Sequence, residues 1–155
     1  MLFVGINPGL YSGAVGHHFA RPGNRFWKVL HAARFTDRSV SPFDERDLLR
    51  RGFGITNLVN RATASADELE PDDLRRGARR LERLVRRWRP RVVAVLGIGA
   101  YATAFRQTGV RVGEQPERIA GARLWVLPNP SGRTAGYQLE ALTRAFRALR
   151  LAARR

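Results

Sequence analysis

Leu2-Phe3-Val4-Gly5-Ile6-Asn7-Pro8-Gly9 opens the chain with an uncharged apolar run that stops on an Asn-Pro turn. Leu124-Trp125-Val126-Leu127-Pro128-Asn129-Pro130-Ser131-Gly132 repeats the arrangement near the other end. Both runs are β-branched or aromatic and too short for a helix, as expected of strands covered on both faces. Proline disfavours the α conformation of the residue before it, so Asn7 and Asn129 are expected to be extended, with side chains projecting at the strand ends. In open parallel α/β sheets the ligand crevice lies outside the carboxyl ends of the strands. A single Asn-Pro pair commonly just opens a turn, but two of them at strand ends favour a site.

Working outward from these runs, strands alternate with helices. A glycine-rich stretch to Gly23 leads to Asn24, which can cap a helix carrying Phe26, Trp27, Leu30 and Ala33 at helical spacing. A second helix is expected over 44–51 with Gly52 as its stop, then a strand over 55–59 followed by Asn60-Arg61-Ala62-Thr63. The spacing of Leu74, Ala78, Leu81, Val85 and Trp88 predicts a helix over 72–88. Seven arginines fill its other face, too broadly spread to aim at one DNA groove, so a solvated surface is expected. Val92 to Leu96 reads as a strand ending in Gly97-Ile98-Gly99, with a helix over 100–107. The last helix follows Gly136 and should bury Leu139, Leu142, Phe146 and Leu149. One α/β domain over 1–155 with a mainly parallel, four-stranded sheet is the economical reading. The strand exits, Asn7 to Gly9, Asn57 to Thr63, Gly97 to Gly99 and Asn129 to Arg133, then converge on one edge.

Composition bounds the function. No cysteine is present, which removes disulfides, iron–sulfur clusters and thiolate zinc sites, and three histidines leave little for a transition-metal centre. No run approaches a membrane span and no leader is expected. Lys+Arg is 28 against Asp+Glu 13, a surplus of +15 that fits a polyanionic partner such as nucleic acid. No phosphate-loop or dinucleotide fingerprint follows strand 1. His17-His18 could supply acid–base chemistry, although loop histidines are more often polar surface.

That leaves amides. Asn7 does not titrate; it can orient a water and accept a hydrogen bond, but cannot take a proton. Such help is adequate where bond cleavage runs ahead of attack and leaves a cationic centre, as at a sugar-to-base bond.

Gly5-Ile6-Asn7-Pro8-Gly9-Leu10, Phe19-Ala20 with Pro22, Asn24-Arg25-Phe26-Trp27-Lys28, and Trp125 to Gly132 together resemble the mismatch-specific uracil/thymine DNA glycosylase family. Phe35-Thr36-Asp37-Arg38 and Leu96-Gly97 fall between them in the same order, so the resemblance covers nearly the whole chain. It implies the uracil-DNA glycosylase fold, a three-layer α/β sandwich, and a monofunctional hydrolase of base excision repair without metal or cofactor. The implied substrate is double-stranded DNA with a G·U or G·T mismatch. Uracil is flipped and excised, with thymine or an exocyclic cytosine adduct as further candidates. A monomeric, cytoplasmic, nucleoid-associated bacterial enzyme is the matching expectation.

The resemblance also implies roles. Asn7 matches the water-positioning asparagine, and Phe19 the aromatic that stacks on the extruded base. Backbone groups of the first motif, Ile6 among them, and Asn129 are expected at the base. Ser131, Gly132, Arg133 and Thr134 belong to the loop that approaches DNA, with Arg133 at the wedge position, where members often carry leucine. Asn57 and Asn60 stand where some bacterial relatives have charged residues, and His17-His18 replaces apolar neighbours of the stacking aromatic. Fold alone leaves two other readings open: a non-catalytic basic nucleic-acid-binding module, and a hydrolase of small nucleosides.

Overall fold

A computed structural model describes residues 1–133 and 136–155. Five strands, β1 (Leu2–Gly5), β2 (Gly54–Asn57), β3 (Val92–Leu96), β4 (Gly113–Ile119) and β5 (Ala122–Leu127), form one sheet in the order β2-β1-β3-β5-β4. The first four in that order run parallel, and β4 joins β5 antiparallel at the edge. Among the described residues six α-helices accompany it: α1 (Leu10–Val15), α2 (Phe26–Ala32), α3 (Arg46–Arg50), α4 (Pro71–Trp88), α5 (Ile98–Ala104) and α6 (Leu139–Ala153).

The period-2 alternation of strand side chains explains why the apolar runs carry no charge. Val92, Ala94, Leu96, Trp125 and Leu127 face α2 and α6 in one core. Val93, Val95, Leu124 and Val126 face α4 and α5 in the other. The α/β sandwich with a mainly parallel central sheet is therefore present, with one strand more than the expected four. The extra strand, Gly-Glu-Gln-Pro-Glu-Arg-Ile, is polar and holds a proline, which an edge strand tolerates and an inner one does not. Ala120 (φ 46°) and Gly121 (φ 86°) turn it into β5 as a two-residue hairpin, and Glu114 accepts two hydrogen bonds from Arg123 at 2.7 and 2.8 Å.

Helix bounds also shift. Within the glycine-rich stretch, α1 forms between Gly9 and a left-handed Gly16. Gly13 is useful there because a Cβ would sit 3.0 Å from that of Ala62. The segment expected as one helix over 44–51 is a 3₁₀ turn (Pro42–Asp44) followed by α3. α4 starts on a capping box between Glu70 and Asp73, with Pro71 in its first turn. Trp88 and Leu139, expected in the core, are exposed at 70% and 43%. Trp88 instead lies under the Arg87 guanidinium, 5.2 Å from it.

Candidate active site

The strand ends at β1, β2 and β5 and the loop before α2 surround a cavity of about 580 Å³. That volume suits a small organic group. Ile6, Asn7, Phe19, Asn129, Ser131 and Arg133 all line it, so the structure brings six of the eight expected site residues to one pocket. Gly132 is exposed beside it, where an added Cβ would lie 2.9 Å from the Gly23 carbonyl oxygen. Thr134 lies outside the described residues.

Asn7 is held by its amide. Its Nδ2 donates to the Arg61 carbonyl at 2.9 Å and to Thr63 Oγ1 at 2.8 Å, which commits both protons. The Arg61 carbonyl can only accept, and that fixes which end of the amide faces it. Thr63 is 3% exposed, passes its own proton to the Ser65 carbonyl at 2.7 Å, and its N–H donates to the Pro8 carbonyl at 3.1 Å. Among the described residues Asn7 Oδ1 accepts no hydrogen bond. It is a fixed acceptor at a cavity wall.

Phe19 sits at φ 52°, a left-handed conformation uncommon for a bulky residue. Its ring packs on Phe26 with centroids 4.2 Å apart, and Phe26 in turn packs edge-on against Phe3 at 5.5 Å. The ring is thus backed by the core while it lines the cavity. Gly5 makes room for this arrangement: a Cβ there would run into Asn57 Oδ1 and lie 3.0 Å from the Phe19 ring. Asn57 and Asn60 line the cavity too, so the β2 exit adds two further amides.

His17 and His18 also line the wall and share one carboxylate. Their Nδ1 atoms lie 3.6 and 3.1 Å from the two oxygens of Glu45, which also accepts the His18 N–H at 3.0 Å. The 3.6 Å separation is an ion-pair distance without a hydrogen bond. Asn129 Oδ1 accepts the Ser131 N–H at 3.0 Å, leaving its NH₂ for the cavity side. The Arg133 side chain reaches across to the Ala64 carbonyl, 3.0 Å away, so it rests along the pocket rim.

The loop carrying these groups is tied down by Arg25. Its guanidinium donates to the carbonyls of Pro130 (3.3 Å), Ser131 (2.9 Å) and Tyr137 (2.5 Å), and its N–H donates again to Pro130 at 3.0 Å. Arg25 belongs to a motif read in the sequence, yet nothing local marks its role. The same is true of Thr63, Glu45 and Asn57, whose partners lie 27 to 56 residues away or on a neighbouring strand. Among the described residues no cluster of His, Asp or Glu is arranged to hold a metal ion.

Two amide-bearing strand ends, an aromatic shelf and a loop anchored beside them are thus one concave site. Residues 1–150 match the Uracil DNA glycosylase superfamily. The chain belongs to that superfamily. Membership covers both Asn-Pro motifs and supports a glycosylase hydrolase acting on DNA, with the α/β fold that goes with it.

Proposed function

We propose that this glycosylase is mismatch-specific and removes uracil lying opposite guanine, with thymine or an exocyclic cytosine adduct as slower substrates. The hydrolytic chemistry of this reading is carried by one observation: both amide protons of Asn7 are spoken for, which leaves Oδ1 as a fixed acceptor at the cavity wall. A water held by that oxygen attacks C1′ of the deoxyribose as the N-glycosidic bond breaks. The bonding pair leaves with the base, the water oxygen bonds to C1′, and its proton passes to solvent. An abasic sugar and a free base result. Because Asn7 takes no proton, the route needs departure to run ahead of attack, and placed dipoles then serve the oxocarbenium-like sugar.

Phe19 supplies the stacking face for the extruded base, and the Asn57 and Asn129 amides supply donors and acceptors for its edge. Ser131, Gly132 and Arg133 meet the DNA backbone, with Arg133 entering the space the nucleotide vacates. Extrusion costs least where pairing is already faulty, which gives part of the preference for a mismatch. The enzyme would act as a monomer on nucleoid DNA in the cytoplasm.

The test is incubation with G·U, G·T, A·U and single-stranded uracil oligonucleotides, followed by alkaline cleavage at abasic sites. Faster cleavage of G·U than of A·U is expected, and equal rates would sink the mismatch preference. Asn7→Ala should bind G·U duplex with unchanged affinity and release almost no base. A protein that binds but never releases a base would be the non-catalytic module instead.

A further inference from the structure

The excess charge of this chain is not at its pocket. Of the charged groups lining the cavity, Arg21 and Arg133 face one acid, Asp67. A separate groove of about 310 Å³ lies between α4, the end of α5 and the β4–β5 turn. It is lined by Arg75, Arg79, Arg106 and Arg118 against one acid, Glu82. Glu82 is drawn to Arg86 at 2.6 Å, and Arg75 reaches Asp72 at 3.3 Å. Among the described residues Arg79, Arg106 and Arg118 form no ion pair, all three are exposed, and Arg75 Nε is buried without a hydrogen-bond partner.

The groove shares no lining residue with the pocket. It sits by the Ala120–Gly121 turn that leads into β5, whereas the pocket sits where β1, β2 and β5 end. Several guanidiniums around an open, nearly acid-free groove suit the paired oxygens of phosphodiesters. A chain of this length has a radius of gyration of ~15 Å, while duplex DNA stays stiff over about 150 base pairs. The groove opens by the start of β5 and the pocket at its end, so the two openings are at opposite ends of that strand.

We propose that this groove is a second phosphate-backbone site that holds a duplex segment other than the one engaged at the pocket. One protein molecule then touches two segments at once and can pass from one to the other without full release. Composition bias explains many arginines, but not why they gather around a groove nearly free of acids that shares no residue with the pocket.

The test immobilises an undamaged short duplex, adds the protein, and measures capture of a second, dye-labelled duplex. Wild type should capture it, with the amount linear in bound protein. Arg79→Gln/Arg106→Gln should lower capture at least several-fold. Its log affinity against log salt should be shallower by about 2, at ~0.9 per phosphate contact. Single-turnover excision from a short G·U duplex should stay as in wild type. Arg144→Gln/Arg147→Gln, which removes equal charge from α6, should leave capture unchanged.

No capture by wild type would overturn the proposal. So would capture rising as the square of bound protein, which assigns it to a second copy, or an equal loss in the α6 control. Undamaged DNA is used throughout the capture measurement, so its outcome is independent of which base the pocket accepts.

Discussion

Replacing Thr63 by valine removes a hydroxyl that accepts from Asn7 Nδ2 at 2.8 Å while nearly preserving side-chain shape. If water could enter, the change would cost only the net value of one hydrogen bond, ~1 kcal/mol. Thr63 is 3% exposed, so the stranded-donor case applies, at about 1–3 kcal/mol. Turning the amide over would set Oδ1 against the Arg61 carbonyl, so the side chain keeps that one bond, loses its second anchor, and Oδ1 is no longer held in a single place. The preference for the productive geometry is weakened by that amount, a factor of about 5 to 150 at 1.4 kcal/mol per decade. Single-turnover excision from G·U duplex should drop by the same factor with duplex affinity unchanged. Thr63→Ser keeps the hydroxyl and should stay within a few-fold of wild type. In an Asn7→Ala background, Thr63→Val should cost nothing further, because the group it orients is gone. A Thr63→Val enzyme within twofold of wild type, or a serine variant as slow as the valine one, would refute the reasoning.

Other outcomes follow from the same geometry. Gly5→Ala places a methyl group against Asn57 Oδ1 and the Phe19 ring, and should weaken binding of an abasic-analogue duplex and excision by an order of magnitude or more; calorimetry should show that the domain still folds cooperatively. Arg133→Ala should slow excision from G·U duplex more than from single-stranded uracil, and equal effects on both would remove it from base extrusion. The excision rate should be nearly flat from about pH 6 to 9, since Asn7 does not titrate, whereas a single step near the usual histidine value of ~6.5 that vanishes in His18→Ala would move the chemistry to His18. The Asp73 carboxyl is held below its ordinary 3.8 by the Glu70 N–H it accepts, and by Arg61 and Arg76. Its contribution to stability is therefore present above that ordinary value and lost as pH falls through the lowered one, so Asp73→Asn should flatten the acid limb of a thermal-melt series below about pH 4.

Much of this architecture was legible because parallel strands buried on both faces leave an unambiguous trace. Val92–Leu96 matches β3 residue for residue, and Leu124–Leu127 falls within β5. β4 was invisible because an edge strand alternates polar and half-buried residues and admits Pro116. α1 was hidden by Gly13, whose low helix propensity is overridden by close approach to Ala62. The broad basic face of α4 was expected to be solvated, yet Arg80 donates to the Asn57 and Leu58 carbonyls at the β2 exit, where burial lowers its pKa. Asn7, Phe19 and Asn129 could be picked from motifs because their spacing is local. Thr63, Glu45 and Arg25 could not, since their meaning depends on which distant backbone each one meets.

Arg25 ties the start of α2 to the second Asn-Pro motif, more than a hundred residues further along the chain. Its guanidinium holds the carbonyls of Pro130, Ser131 and Tyr137, and the next residue, Phe26, is the backing plate for Phe19. A displacement of those carbonyls would therefore be felt, through Arg25 and Phe26, at the Phe19 ring that lines the cavity.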